Sequence, residues 1–319
     1  MNSVFFPNVK SKNSKVSLVQ GVFFYFLVLF TGVLASLKSK EQALMFTLNC
    51  KGRLLTITEP IVMGILNLTP DSFYVNSRLA NDTALLQKAE QMINDGATIL
   101  DVGGQSTRPA SERVSEEEEV KRVIPAIERL HKNFPEQVIS IDTFYASVAK
   151  LAVQAGASIV NDVSAGTLDV LLLPTVASLH VPYVLMHMHG DPQTMQQNPQ
   201  YKNVTLDVFD TLAFKLKELE NAGINDIIID PGFGFGKTIE HNFQLLRELS
   251  FFQQLQKPLL VGLSRKGTIY KTLGTTADKA LNGTTVLHTI ALLNGATILR
   301  VHDVKEATEA ISLFLAYKK

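Results

Sequence analysis

Asp95-Gly96-Ala97-Thr98-Ile99-Leu100-Asp101-Val102 is the stretch on which the fold turns. A helical pattern runs into Gly96, which suits a left-handed helix C-cap, and a continuous apolar run follows at once. The same order returns in Ala155-Gly156-Ala157-Ser158-Ile159-Val160 and in Asn294-Gly295-Ala296-Thr297-Ile298-Leu299-Arg300-Val301. Working outward, eight such runs appear, at 61–66, 97–102, 137–141, 157–160, 182–186, 226–230, 258–263 and 296–301. Each is short, rich in β-branched residues and uninterrupted, as expected of strands buried on both faces of a parallel sheet. Amphipathic patterns at 82–95, 115–133, 144–155, 206–222, 239–255 and 276–294 separate them. Ser115-Glu116-Glu117-Glu118 reads as a capping box, and the Glu116–Glu119 run as a solvated helix start. Eight β/α units with short connections predict an α/β protein built as a single (β/α)8 TIM barrel. An open doubly wound sheet is the rival, but it wants a Gly-rich first turn that the chain lacks.

Composition narrows the class. With 319 residues, 46% hydrophobic and 19% charged, the chain can bury a full core, which excludes a disordered or collagen-like protein. Thirty basic residues balance thirty acidic ones, so no global charge draws it to nucleic acid. A lone Cys50 forms neither an internal disulfide nor a Cys-rich zinc site. The neutrality hides unlike parts. Residues 1–44 hold five Lys and one acid, leaving 25 basic against 29 acidic residues in 45–319. An almost uncharged stretch at 16–37, with its apolar heart at 21–35, has the outline of a signal peptide and the length of a membrane span. Met45 opens a natural-looking start, so 1–44 is read as a mis-assigned or dispensable extension. The barrel is assigned to 45–319 and the protein is expected in the cytoplasm, with membrane association through 16–37 the competing reading.

In a barrel, chemistry gathers where strands end at their carboxyl side. The eight runs end in Asn67-Leu68-Thr69-Pro70-Asp71-Ser72-Phe73, in Gly103 to Pro109 (GGQSTRP), in Asp142-Thr143, in Asn161-Asp162, in Met186-His187-Met188-His189-Gly190, in Asp230 to Lys237 (DPGFGFGK), in Ser264-Arg265-Lys266, and in Arg300-Val301-His302-Asp303. Polar groups at the same place in all eight units point to one shared pocket. Any single one of these residues reads about equally well as a cap or a turn. GFGFGKT fails as a phosphate-cradling loop because Pro231 stands where its first glycine belongs. Its glycines are read as letting backbone approach a flat ligand or turn tightly. His187-x-His189 lacks companions with zinc-like spacing. What survives is an acceptor set, Asp142, Asn161 and Asp230, suited to a donor-rich heterocycle edge. Lys266 adds a cation, Arg108, Arg300 and His302 can neutralise an anion, and Asn67 offers a neutral oxygen for Mg²⁺.

The blocks LNLTPDSF, DVGGQSTRPA, IDT, IVNDV, MHMHG, DPGFGFGKT, SRK and RVHDV together closely resemble the dihydropteroate synthases, from about Ile61 to Phe314 and in order. The resemblance implies a (β/α)8 barrel, commonly a homodimer. Such an enzyme condenses 6-hydroxymethyl-7,8-dihydropterin diphosphate with 4-aminobenzoate in folate biosynthesis and is the target of sulfonamides. Carried over to matching positions, it implies that Asp142, Asn161, Asp230 and Lys266 read the pterin edge, with Met186 and Phe235 lining the slot. Asn67, Arg108, Arg300 and His302 then meet the diphosphate, with Mg²⁺ bound through Asn67. Thr107, Arg108 and Ser264 receive 4-aminobenzoate, and Lys266, Asp230, Arg300 and His302 act in catalysis. The implied chemistry is a dissociative displacement without a covalent enzyme intermediate. One departure stands out: where the family commonly has Asp-Ser-Phe-Ser-Asp-Gly-Gly, this chain reads Asp71-Ser72-Phe73-Tyr74-Val75-Asn76-Ser77. Val75 thus replaces an acid, which implies weaker metal assistance or an altered loop closure. Alternatives are a related pterin-binding methyltransferase barrel and a non-catalytic pterin-binding paralogue.

Overall fold

The computed structural model describes residues 45–68, 78–105, 113–190 and 199–319. The segment 1–44, the 71–77 loop, Thr107 and Arg108 lie outside the described residues. Each apolar run contributes a strand: β3 (Ile61–Asn67), β4 (Ala97–Gly103), β5 (Val138–Asp142), β6 (Ile159–Asp162), β7 (Tyr183–Met186), β8 (Ile227–Asp230), β9 (Leu260–Val261) and β10 (Ile298–Val301). They pair in parallel in the order β8-β7-β6-β5-β4-β3-β10-β9. A parallel bridge between Ile229 and Leu259, with the Ile229 N–H donating to the Pro258 carbonyl at 2.9 Å, joins the two ends and closes the barrel.

Helices α1 (Arg78–Asn94), α2 (Glu116–Asn133), α3 (Ala146–Ala155), α4 (Leu172–Leu179), α5 (Val204–Asn221), α6 (Ile239–Arg247), α7 (Gly267–Thr272), α8 (Leu281–Leu293) and α9 (Val304–Lys318) follow the strands in chain order. The outer core lies between them and the barrel wall. The three repeated exits behave as the sequence implies, with φ of +104° at Gly96, +127° at Gly156 and +94° at Gly295. Gly156 is required twice over, since a Cβ there would stand 2.5 Å from the His131 ring. The pattern at 239–255 breaks after Arg247 into a 3₁₀ turn (Leu249–Leu255), and that at 276–294 begins with another (Ala277–Lys279). Ser115 Oγ accepts from the Glu118 N–H at 3.3 Å, as a helix cap should.

Glu119 corrects the reading of its charge run. Glu116 and Glu117 are exposed, but Glu119 is fully buried, because it falls on the inward stripe of α2 with Val123, Ala126 and Ile127. It accepts from Gln105 Nε2 at 2.6 Å, and burial pushes its carboxyl up from the ordinary range.

The barrel floor is sealed by a hairpin that the sequence reading passed over. β1 (Phe46–Cys50) and β2 (Arg53–Ile57) pair antiparallel through a turn at Lys51 (φ +58°) and Gly52 (φ +89°). Two positive φ values suit the twist of a two-residue hairpin. Leu48, Cys50 and Ile57 pack against Met63, Ile99, Val138, Ile159, Val184, Ile228, Leu260 and Ile298, which point into the barrel. Burial lifts the Cys50 thiol to about 12, so it serves as floor packing and not as a nucleophile.

Candidate functional site

The apolar floor forces the polar residues upward. Side chains alternate along a strand, so the next inward positions above Ile99, Val138, Ile159, Val184 and Ile298 are Asp101, Ser140, Asn161, Met186 and Arg300. Ile228 is followed in the same way by Asp230. Register then sets Asn67 beside Gly103, Gly103 beside Asp142 and Asp142 beside Asn161. Chemistry thus begins where the plug ends, at the carboxyl mouth.

An ion-pair cluster organises this mouth. Arg300 Nε donates to Asp101 Oδ2 at 2.7 Å, and its Nη2 lies 2.6 Å from both Asp101 Oδ2 and Asp142 Oδ2. Asn161 Nδ2 donates to the same Asp101 oxygen at 3.1 Å. Asp101 is wholly buried, and its second oxygen has no partner. The sequence reading gave Arg300 to an anion; here two of its three nitrogens are docked on carboxylates, leaving Nη1 for other work. Burial pushes Asp142 upward while the Arg300 guanidinium pulls it back. Asp101 was missed as a site residue, although an acid inside the run Ala-Thr-Ile-Leu-Asp-Val was a visible signal.

Across the barrel, Asp230 Oδ1 accepts from the Gly232 N–H at 2.7 Å, the start of a tight glycine-rich turn. Burial raises Asp230, opposed first by Lys266. Lys266 donates to the Phe233 carbonyl, and its ammonium stands 4.4 Å from the Phe235 ring centroid. Desolvation lowers the Lys266 ammonium to about 8, against the pull of Asp230. Met186 and Phe235 meet, with Phe144 and Val163, in an apolar cluster that the floor and outer cores do not include. The mouth thus combines an apolar cluster with the polar strand ends Asp142, Asn161 and Asp230 and with Lys266.

Ser264 and His302 come together. Ser264 Oγ lies 3.0 Å from His302 Nδ1 and accepts from the His302 N–H at 3.2 Å. The Ser264 hydroxyl and His302 Nδ1 share one hydrogen bond, whose donor is set by the ring tautomer. Arg265 (φ +54°) turns away from the mouth and forks onto both Asp303 oxygens at 2.8 and 2.9 Å. It thus braces β9's exit against β10's exit. Thr107 and Arg108 lie outside the described residues, so the structure does not place them.

Asn67 is half-buried at the end of β3, and a Cβ on Gly103 would stand 3.5 Å from its Oδ1 and from Asp142 Cβ. Among the described residues, no group of three His, Cys, Asp or Glu could hold a metal ion. A neutral amide oxygen fits a Mg²⁺ ion that takes most of its ligands from phosphate and water, and not a resident metal caged by protein.

The glycines of DPGFGFGK have a packing reason. Gly232 (φ +72°), Gly234 (+80°) and Gly236 (+64°) are all left-handed, and a Cβ on Gly232 would fall 1.8 Å from the His187 carbonyl. Gly232→Ala is expected to yield little folded protein, because a backbone carbonyl cannot yield as a flexible side chain would. Wild-type solubility and melting temperature for this variant would contradict that geometry.

The chain is similar to known proteins along most of its length. The family described as pterin binding enzyme matches residues 63–302. The dihydropteroate synthase of Haemophilus influenzae is 41% identical over 271 residues, covering 84% of this chain and 98% of that protein. That of Escherichia coli K12 is 43% identical over 263 residues, covering 82% and 93%. Among solved structures, Xanthomonas albilineans dihydropteroate synthase with 4-aminobenzoic acid has a TM-score of 0.79 at 41% identity, covering 85% of this chain and 98% of that one. The same enzyme in complex with 7,8-dihydropteroate gives 0.77 at 39% identity, covering 86% and 99%.

Proposed function

The chain belongs to the pterin-binding enzyme family, and from that premise we propose that it is a dihydropteroate synthase, a transferase of folate biosynthesis. The observation that carries the reading is an apolar cluster with Met186 and Phe235 at the same strand ends as Asp142, Asn161, Asp230 and, stacked on Phe235, Lys266. The carboxylates accept from the pterin's amino and ring N–H groups, while Lys266 donates to a ring nitrogen or carbonyl. Arg300 Nη1 and His302 Nε2 face the diphosphate, with Arg108 joining them. Thr107, Arg108 and Ser264 receive 4-aminobenzoate.

The C–O bond between the pterin methylene and diphosphate breaks, and the bond pair leaves with diphosphate. The amine nitrogen attacks the methylene cation and then loses its proton. Asp142 and Asp230 in their ionised forms would stabilise the cation, and positioning of two bound substrates supplies much of the acceleration. Asn67 would hold a Mg²⁺ ion through its side-chain oxygen, and the ion would supply Lewis-acid neutralisation of the leaving group. Replacing Val75 by Asp is expected to raise activity or sharpen Mg²⁺ dependence, and no change in either would show that another group fills that role.

The Lys266 ammonium, near 8, predicts a pH limb. Below about 8 it is charged and donates; as pH rises through that value the cation is lost and pterin affinity should fall. Titrating 6-hydroxymethylpterin binding between pH 6.5 and 9.5 checks this, and affinity flat to pH 9.5 would contradict it. We also place the protein in the cytoplasm as a homodimer. No helix among the described residues is long and apolar enough to cross a membrane. The mutually packed α8 and α9 leave Val286, Ile290, Leu293, Leu313 and Tyr317 exposed, a surface suited to a second copy.

Incubating the full chain with both substrates and Mg²⁺ tests the function. Dihydropteroate and diphosphate should appear in equal amounts. Pterin binding without product would favour the non-catalytic paralogue, and methyl transfer to or from a pterin would favour the methyltransferase.

A further inference from the structure

Lys237 is buried and takes part in none of the ion pairs among the described residues. Its ammonium is instead surrounded by acceptors: the Gly232 carbonyl at 2.9 Å, the Phe235 carbonyl at 3.1 Å and His187 Nδ1 at 2.9 Å. The His187 carbonyl stands slightly farther, at 3.4 Å. Burial lowers the Lys237 ammonium to about 7 against the pull of Asp230, and in its charged form its three protons meet three good acceptors, with His187 Nδ1 accepting. Burial and the neighbouring ammonium favour neutral His187, holding it far below its ordinary range. Two of the acceptors belong to the 231–236 segment and two to the exit of β7. The left-handed turns at the glycines bring the Gly232 and Phe235 carbonyls onto the ammonium, much as backbone oxygens hold a bound ion. Tyr201 adds a second tie, donating to the Gly236 carbonyl at 2.8 Å.

What this cage holds in place is the slot. The same segment carries the Phe235 ring under the Lys266 ammonium and the Phe233 carbonyl that accepts from Lys266. Lys266 also meets Gly234, whose added Cβ would stand 3.1 Å from Lys266 Cδ. An apolar side chain could fill the volume of Lys237 but could not gather these carbonyls.

We propose that Lys237 is a positioning residue for the ring slot, an internal cation around which the glycine-rich segment folds, so that it sets affinity for the pterin substrate and not for the arylamine. This inference rests on the pterin reading above. The test uses Lys237→Met in the full chain, with binding of 6-hydroxymethylpterin followed by its fluorescence and KM measured for both substrates. The pterin Kd and the KM for pterin diphosphate should rise at least about tenfold, while the KM for 4-aminobenzoate moves less than about twofold. A wild-type pterin Kd in the variant, or an equal rise in both KM values, would overturn the proposal, as a merely structural lesion lowers kcat without this split. If Lys237→Met does not fold, His187→Phe decides: it removes one acceptor, and the pterin Kd should rise about threefold. An unchanged Kd there would overturn the proposal equally. A wild-type protein that binds no pterin overturns the function itself and this inference with it, whereas wild-type binding with an unaffected variant overturns the inference alone.

Discussion

Asp230→Asn is expected to lower kcat/KM by about a hundredfold or more while the protein folds normally. The argument turns on its two oxygens. Oδ1 accepts from the Gly232 N–H at 2.7 Å, and an asparagine carbonyl oxygen keeps that bond and the turn it starts. The other oxygen becomes an NH₂, which presents donors to the donor edge of a pterin and removes the charge that faces Lys266. Lys266→Ala is expected to lose activity on a similar scale, by deleting the partner cation and its contact with the Phe235 ring. Circular dichroism and melting curves establish folding in both. A folded Asp230→Asn with full activity would show that Asp230 does not read the substrate.

The second large effect is on stability. Arg300→Met leaves Asp101 and Asp142 without the guanidinium that both contact within 2.7 Å. Removing one partner of a buried pair typically costs about 3–5 kcal/mol, because the remaining charge stays desolvated. Here one cation serves two acids, so urea unfolding should show a loss toward the upper end of that range. The sign of its pH dependence follows from Asp142. Burial already raises that carboxyl, and without Arg300 it rises further, so the penalty applies while the acid is ionised and shrinks as pH falls. Since Asp142 already stands near 7 in the wild type, the gap between wild type and variant should narrow as pH falls from about 9 toward about 7 and level off below that. A gap that widens on acidification, or a variant as stable as wild type at about pH 9, would contradict the pairing.

The barrel was legible because its evidence was repetitive. Eight apolar runs and three glycine exits all demanded the same unit, and each run contributed a strand. The β1–β2 hairpin was not legible, since Lys51-Gly52 lacks the Asn or Asp that usually marks such a turn and Leu54 is exposed within β2. Strand β9 spans only Leu260–Val261, because Pro258 has no N–H to give and the chain turns at Ser264–Arg265. At the site, residues that end runs were visible as breaks in apolarity: Asp142, Asn161, Asp230, Lys266, Arg300 and His302. The groups that hold them were not. Asp101 sat inside a strand, Glu119 inside a charge run, and Lys237 at the end of a failed phosphate motif. Each acts through contacts between residues far apart in the chain, such as Arg300 with Asp101, which spacing does not encode.

A crystal structure with 6-hydroxymethylpterin bound tests the central claim most directly. The account predicts the ring flat against Met186 and Phe235, with its pyrimidine edge on Asp142, Asn161 and Asp230 and with Lys266 donating to it. A pterin lying outside the barrel mouth, or inside it with its edge turned away from these four residues, would contradict the account.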